Sequence, residues 1–492
     1  MAGWRFDYRP SADLPPLAWV ARVRADVVEV DCGQSVRCEP EGFLEGTWVG
    51  PPGVGSALDS TAPFGTGMVA RGPELFAIPP GHTMALLFSW RGAGELLLAN
   101  TFVGLLVKGG LELLPDTDYQ GQFARTAFGL AANPTDLPTS GGPAQLHLYE
   151  NLHVLPDGRL ETSPKPREQP FRDFDDYVAR LDAALASAVA NAPGYPMVVA
   201  LSSGYDSPAV ATLAARHGCR TALTFGESRP PRFTADANDS GAAIGRQLGM
   251  TVEFHDRVAY MRRTDLPEAE FMASGYTGEE VTYVGMEREL RHTMMLTGGL
   301  GGWMWLKKVA PQTNLERKDF SACSVTEFRL RLDTIDLPIP MFGMSQIASV
   351  GAITRSSAMR PWSVGGFYDK PIPRRILEQA GFARGSFASS KRASTALIHV
   401  QGAALMAPAS AASVRAFAAA EGRAIDLSPR RRPTRLDRGL IKLFRTLRMG
   451  VLARPLAERQ HTIVQHHPQT GSLLFRWGVA HIRARYDALK PG

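Results

Sequence analysis

The segment 197–208, Met-Val-Val-Ala-Leu-Ser-Ser-Gly-Tyr-Asp-Ser-Pro, places an apolar run directly before a short loop of small residues. The apolar residues ahead of Ser202 are typical of a strand buried on both faces of a parallel sheet. Pro208 and the alanine-rich run after it predict a helix with proline in its first turn. The loop therefore joins the carboxyl end of a strand to the amino end of a helix, where backbone N–H groups converge and suit a phosphate group.

The side chains of this loop also fit a phosphate site. Ser202, Ser203 and Gly204 are small enough for the backbone to approach a ligand closely. Asp206 adds a carboxylate beside the phosphate position, and Mg²⁺ prefers oxygen ligands of this kind. A Walker A loop is excluded because no Gly-Lys-Ser/Thr follows. A Ser/Gly turn that only connects a strand to a helix remains the alternative interpretation.

The loop resembles Ser-Gly-Gly-x-Asp-Ser, the signature of the N-type ATP pyrophosphatases and more narrowly of the asparagine synthetase-like ligases. Ser203 stands where that signature has its second-position glycine. The resemblance implies an α/β domain built on a parallel sheet, with a PP-loop that binds ATP and Mg²⁺. It implies that Asp206 is the metal ligand and that ATP contacts the following loop residues: Leu201, Ser202, Ser203, Gly204, Asp206 and Ser207.

Strands and helices alternate after the loop. The run 221–225 predicts a second strand, residues 239–248 a second helix that stops at Gly249, and Thr251 the start of a third strand. Such alternation favours a parallel sheet with helices on both faces. In the synthetase-like family the end of the second strand holds the adenine, which here implies Thr224 and Phe225.

A second buried strand runs into a glycine-rich loop at residues 294–303. It resembles the family's second phosphate-side loop, Ser-Gly-x-Gly-x-Asp-Glu, and this implies that Gly298 lies at the phosphates. Gly302 and Trp303 stand where the acidic pair falls, so one Mg²⁺ ligand is missing unless Glu279 or Glu280 replaces it. A tight packing turn explains the same glycines equally well.

A third segment carries an acid, a helix and a lysine. Residues 368–378 read Tyr-Asp-Lys-Pro-Ile-Pro-Arg-Arg-Ile-Leu-Glu, and Lys391 follows about twenty residues after Asp369. A similar arrangement in the asparagine synthetase-like family ends in a lysine that stabilises charge during formation of the acyl-adenylate. The resemblance implies this catalytic role for Lys391, whose ammonium would neutralise charge that develops on the reacting oxygens. A solvated surface lysine is the alternative.

The first third of the chain predicts a β-rich domain. Residues 97–106 resemble a strand-turn-strand segment of the family's glutaminase domain, with Asn100 and Thr101 in place of its Arg-Asp pair, and residues 148–158 resemble the end of that domain. A glutaminase would use a cysteine at position 2, where this chain has Ala2. We therefore expect a degenerate glutaminase-like domain of the Ntn type, without its chemistry, or else an unrelated β-domain.

Length and linkers divide the chain into three regions. The 492 residues allow about three domains. We predict a degenerate glutaminase-like domain at 1–170, an ATP-binding domain at 171–425 and a helical C-terminal region at 426–492. The start carries no apolar core of a signal peptide, and no apolar stretch reaches the ~20 residues of a membrane span. The four scattered cysteines fit reduced thiols, so we expect a cytoplasmic protein that does not bind membranes.

A net charge of +6 and the basic run 430–435 keep a nucleic-acid-modifying PP-loop enzyme open as an alternative. Nucleic acid is nevertheless disfavoured because there is no CxxC pair, RNP-like motif or zinc-finger spacing. A histidine group at 461–467 lacks cysteine partners and predicts no metal site. The resemblance as a whole implies an AMP-forming ligase that joins a small-molecule or peptide carboxylate to an amine. A catalytically silent nucleotide-binding or scaffold protein is the other alternative.

Overall fold

The protein is a mixed α/β molecule, and its described residues form three β-sheets, one of which is entirely parallel. The computed structural model describes residues 3–92, 94–228, 238–308, 314–317, 320–366, 368–387, 393–429 and 468–490. Thirteen strands of the first two sheets precede residue 164, and the five strands of the parallel sheet follow residue 196. The expectation of a β-rich region ahead of a parallel-sheet region is therefore confirmed.

The β-rich region consists of two sheets packed face to face. The seven-stranded sheet has the order β1-β3-β2-β9-β8-β11-β10, and all its neighbours are antiparallel except β1 and β3. Its strands are β1 (Arg5–Pro10), β2 (Trp19–Arg24), β3 (Val27–Cys32), β8 (Leu87–Gly92), β9 (Glu95–Ala99), β10 (Thr135–Leu137) and β11 (Ala144–His147).

The six-stranded antiparallel sheet has the order β13-β12-β7-β6-β5-β4. Its strands are β4 (Arg37–Glu39), β5 (Gly42–Trp48), β6 (Pro63–Arg71), β7 (Glu74–Ile78), β12 (Asn151–Val154) and β13 (Leu160–Ser163). The alternation of side chains along a strand buries one face of each sheet between the two. Trp19 and Leu98 from the first sheet meet Phe43 and Met68 from the second in that core.

The parallel sheet has the order β16-β15-β14-β17-β18. Its strands are β14 (Met197–Ala200), β15 (Thr221–Phe225), β16 (Thr251–His255), β17 (Thr293–Thr297) and β18 (Thr334–Pro338). The chain adds two strands on one side of β14 and then crosses to add two on the other side. The strand order therefore reverses at β14, and ligands of such sheets bind beyond the carboxyl ends of the strands at this reversal.

Helices cover the sheets, and short 3₁₀ turns connect several of them. The α-helices are α1 (Phe102–Gly109), α2 (Tyr119–Ala124), α3 (Phe174–Ala190), α4 (Asp206–Arg216), α5 (Ala242–Gln247), α6 (Glu268–Met272), α7 (Glu287–Leu290), α8 (Gly301–Met304), α9 (Thr326–Leu332), α10 (Ile347–Arg355), α11 (Pro371–Gln379), α12 (Ile398–Gln401), α13 (Pro408–Ala420) and α14 (Pro468–Ile482). The 3₁₀ helices are Val54–Asp59, Arg125–Ala132, Ala259–Arg262, Glu279–Met286, Ile339–Met341, Met344–Gln346, Ser357–Trp362, Gly402–Leu405 and Arg483–Leu489.

One sequence-based prediction in the β-rich region is wrong. Residues 97–106 were expected to form a strand, a turn and a second strand, but β9 is followed by helix α1. The Thr101 hydroxyl accepts a hydrogen bond from the Gly104 N–H (3.2 Å) and caps this helix. Seven of the eight residues of α1 are buried, so the segment lacks the exposed polar face that marks an amphipathic helix in a sequence.

The C-terminal helix α14 is part of the main core. Its Phe475 ring lies 5.2 Å from the ring of Tyr119 and 5.4 Å from the ring of Phe123, both in α2. Gly478 lets α14 approach α6 closely, because a Cβ at this position would lie only 2.7 Å from the Ala269 carbonyl oxygen. Helix α14 therefore packs against α2 of the β-rich region and against α6 of the parallel-sheet region.

No single helix within the described residues has the length and apolar character of a membrane span, and only the bent pair Ile398–Leu405 and Pro408–Ala420, at 106°, meets these criteria jointly. The four cysteines are free thiols, and three of them are buried.

Two buried histidines of the β-rich region predict loss of stability in acid. Burial lowers the pKa of His82 from 6.5 to about 3, with help from Arg329 and Arg317, and burial lowers the pKa of His147 to about 4. The unfolded chain therefore binds protons below about pH 6.5 that the folded protein does not bind. We expect the urea midpoint to fall as the pH drops from about 6.5 to 4, and His147→Gln to weaken this fall. If the urea midpoint of His147→Gln depends on pH as strongly as that of the wild type, protonation of His147 does not cause the loss of stability in acid.

Candidate functional site

A cavity of about 290 Å³ opens at the carboxyl ends of β14, β15 and β17, where the strand order reverses. Seven of the eight residues predicted to bind a nucleotide line it, and the eighth, Ser203, does not. The seven are Leu201, Ser202, Gly204, Asp206, Ser207, Phe225 and Gly298.

Two serines close the loop between β14 and α4. The Ser202 N–H donates to Ser207 Oγ (2.9 Å), and the two hydroxyl oxygens are 3.0 Å apart. Helix α4 begins at Asp206, so the N–H groups of Asp206 and Ser207 have no partner within the helix, and both residues line the cavity. The loop thus presents backbone donors and hydroxyl groups to one point, and the partial positive charge of the helix end favours an anion there.

The Ser203 side chain has a structural role in the loop. Its hydroxyl donates to Asp239 Oδ1 (2.8 Å), and its N–H donates to the Asp239 carbonyl oxygen (2.9 Å). A glycine at this position would supply only the second of these bonds. Ser203 therefore ties the loop to the segment before α5, and it is not among the residues that line the cavity.

The glycine-rich loop after β17 packs directly on Asp206. A Cβ at Gly298 would lie 2.7 Å from the Ser207 nitrogen, and a Cβ at Gly301 would lie 2.5 Å from Asp206 Cγ. Real Cβ atoms essentially never come this close to another heavy atom, so both positions require glycine. The loop brings no carboxylate to the cavity, because residues 298–303 contain none.

Lys370 makes the charged contact at this site that sequence reasoning missed. Its ammonium donates to Asp206 Oδ2, and its side chain is only 2% exposed, against 18% for Asp206. The other carboxylate oxygen, Asp206 Oδ1, is buried and makes no hydrogen bond to any described residue. In the sequence, Lys370 stands between Asp369 and Pro371, the first residue of helix α11. The sequence alone does not show that this helix faces the loop between β14 and α4.

The segment ahead of α11 holds Lys370 in place. The Asp369 carboxylate accepts hydrogen bonds from the N–H groups of Val364 (3.0 Å) and Gly365 (3.2 Å). The Lys370 nitrogen lies 4.8 Å from the centre of the Tyr368 ring. Burial, and then the nearby charge of Asp206, raise the pKa of the Tyr368 phenol well above its ordinary value. Tyr368 is therefore neutral and forms one wall of the cavity.

Of the two candidate replacement acids, Glu279 lines the cavity and Glu280 does not. Glu280 accepts hydrogen bonds from the N–H groups of Ala322 (2.6 Å) and Ser324 (3.2 Å). Burial, followed by the charge of Glu279, raises the pKa of Glu280 to about 8. Glu280 therefore has a structural role, and Glu279 is the acid of this pair that a bound molecule can reach.

Part of the cavity lining is apolar and aromatic. Phe225 lies there at the end of β15, together with Leu223, Tyr283 and Met286. The neighbouring Thr224 faces inward instead, since its hydroxyl accepts a hydrogen bond from the Gly241 N–H (3.0 Å). A flat aromatic base can pack on such a wall while the phosphates lie at the polar loop.

Several predicted features lie outside the described residues. These are Lys391, the basic run 430–435 and the histidine group 461–467. Within the described part of the chain, no group of three His, Cys, Asp or Glu residues is arranged to hold a metal ion. A metal at this site would therefore depend on Asp206 Oδ1 and on oxygen atoms of a bound molecule or water.

Comparison with known proteins gives no assignment. No protein-family model matches this sequence, and no curated protein matches it.

Proposed function

We propose that this protein is an ATP-dependent, AMP-forming ligase of the asparagine synthetase-like type, and that it works without glutaminase activity of its own. The observation that carries the proposal is the loop 202–207, which lies between the central strand β14 and helix α4 at the reversal of strand order. Strand order, loop position and the apolar wall at Phe225 are those expected of a nucleotide site in such a sheet.

In this proposal each wall of the cavity has a task. The N–H groups of Asp206 and Ser207 at the start of α4 bind the phosphates, and Phe225 packs against the adenine. Asp206 Oδ1, which is buried and has no hydrogen-bond partner among the described residues, is the carboxylate oxygen that would bind a Mg²⁺ ion and so help to neutralise phosphate charge. Gly298 and Gly301 let the second loop lie close to Asp206 and Ser207, because neither carries a side chain into the contact between the two loops.

The reaction would proceed in two steps that form and break one bond each. A substrate carboxylate oxygen attacks the α-phosphorus of ATP, and pyrophosphate leaves with the electrons of the broken P–O bond. An amine nitrogen then attacks the carbonyl carbon, AMP leaves, and the amine loses a proton. Lys391 would stabilise the charge that develops on the oxygens in these steps. The two-sheet β-rich region would be the degenerate glutaminase-like domain.

The experiment that tests the proposal combines ATP binding with pyrophosphate release. The protein is incubated with ATP, Mg²⁺ and a panel of carboxylic acids, with and without amines, and pyrophosphate and AMP are measured together. Equal amounts of the two products in the presence of one acid and amine would support the ligase. Absence of ATP binding in equilibrium dialysis would overturn it.

A catalytically silent nucleotide-binding protein is the second candidate. The loop at residues 298–303 supplies no acid, and Asp206 already has a cationic partner in Lys370, which together favour binding without turnover. ATP binding without pyrophosphate release across the whole panel would support this candidate over the ligase.

Replacement of Lys391 tests its proposed role in the ligase. We expect Lys391→Ala to lower turnover by about 100-fold with little change in ATP affinity, because its contact strengthens only as charge develops. Lys391→Arg should restore little, since a planar guanidinium does not occupy the place of a compact ammonium. Wild-type turnover in both variants would show that this lysine has no part in the reaction.

A further inference from the structure

The ion pair between Lys370 and Asp206 changes the charge that a bound phosphate would meet. Three acids line the cavity, namely Asp206, Asp239 and Glu279, and a nucleotide triphosphate would add negative charge beside them. Lys370 does not line the cavity and is almost fully buried, so its ammonium reaches Asp206 from the protein side. Its charge therefore acts on the carboxylate without taking space that a ligand needs.

The surroundings keep this pair in a single arrangement. Gly298 and Gly301 press against Asp206 from the second loop, so the carboxylate has little room to rotate. Oδ2 receives the Lys370 ammonium, and only Oδ1 is left without a partner among the described residues. A carboxylate that keeps one oxygen for a lysine offers a divalent cation one ligand atom instead of two.

We propose that Lys370 is a built-in counter-cation for Asp206, and that it reduces the number of Mg²⁺ ions taken up when a nucleotide binds at this loop. The inference rests on the proposed nucleotide binding and adds to it a specific ion requirement. Lys370 is a positioning and neutralising residue here, because it acts through Asp206. The fixed charge of Lys370 also explains why the second loop, residues 298–303, can lack an acid: with fewer Mg²⁺ ions to hold, the site needs fewer carboxylate ligands.

The test measures ATP affinity as a function of free Mg²⁺, above the concentration that already converts ATP to its magnesium complex. We expect wild-type affinity to stay constant in this range. We expect Lys370→Gln to need one additional ion, so that its affinity rises about tenfold for each tenfold rise in free Mg²⁺. Glutamine keeps an N–H donor on a side chain that is one atom shorter, and it removes the charge.

Two further variants isolate the effect of the pair. Lys108→Met is the matched control, because Lys108 forms a similarly buried pair with Asp31 (2.6 Å) in the β-rich region. We expect its ion dependence to equal that of the wild type. We expect the double variant Asp206→Asn/Lys370→Gln to need no additional ion. Because this variant leaves no unpaired charge at the two positions, it can be measured even if Lys370→Gln alone does not fold.

The outcomes separate this inference from the proposed function. A wild-type protein that binds no ATP would refute the proposed function itself. A wild type that binds ATP, together with a Lys370→Gln variant of identical ion dependence, would refute the inference and leave the nucleotide site standing. An additional ion that appears in both the single and the double variant would also refute it, since the effect would then not pass through Asp206.

Discussion

Replacement of Gly301 by alanine is expected to abolish measurable nucleotide binding. The added Cβ would lie 2.5 Å from Asp206 Cγ and 2.9 Å from Asp206 Oδ1. Asp206 cannot turn away, because Lys370 binds Oδ2 and helix α4 begins at this residue. The two loops must therefore separate, and a separation of 1 Å is enough to misplace a phosphate relative to its donors.

The Gly301→Ala experiment needs a control for the general effect of an added methyl group. Gly385→Ala serves this purpose, since nothing lies within 4 Å of a Cβ at that position. ATP binding is measured by calorimetry on both variants, and circular dichroism shows that both are folded. Wild-type affinity in Gly301→Ala would mean that the two loops do not form one phosphate site.

The order of strands and helices around the loop could be predicted because buried parallel strands have a recognisable sequence pattern, a short apolar run. The runs 197–200, 221–225 and 293–297 are short and mainly apolar, and a serine or glycine follows each run within two residues. Their carboxyl ends must lie at one edge of a parallel sheet, which brings the two glycine-containing loops together. Local pattern and sheet geometry thus suffice for this part of the site.

The contacts of Lys370 and Glu280 could not be predicted, because they depend on the packing of segments far apart in the chain. Lys370 lies 164 residues from Asp206, and Glu280 lies 42 residues from Ala322, whose N–H it binds. No local period distinguishes a lysine that faces a carboxylate from one that faces solvent. The same limit explains helix α1, where burial on all sides removes the pattern that separates a helix from a strand.

The strand order also gives the first loop its significance. A Ser/Gly turn at an edge strand would have had open solvent on one side, but β14 is the central strand and has β15 and β17 on either side. The loop therefore shares its surroundings with the ends of both neighbours. This enclosure, together with the tight glycine contacts, is what favours a ligand site over a plain connection.

Removal of Arg329 is expected to lower the free energy of unfolding by about 3 to 5 kcal/mol. Arg329 in α9 donates two hydrogen bonds to Glu45 in β5 (2.8 and 2.9 Å), and the side chains are 7% and 0% exposed. The variant Arg329→Met would leave the Glu45 charge buried, with Thr66 as its remaining donor (3.1 Å). Because the pair joins the six-stranded sheet to the parallel-sheet region, its loss weakens the contact between them.

Urea unfolding of three variants measures this effect and its cause. The double variant Glu45→Met/Arg329→Met should recover most of the loss, since the Glu45 charge is removed together with its partner. Arg71→Met is the surface control, because Arg71 pairs with Asp59 (2.7 Å) where both side chains are at least half exposed, and we expect a change below about 1 kcal/mol. A single Arg329→Met variant as stable as the surface control would show that the buried pair does not hold the two regions together.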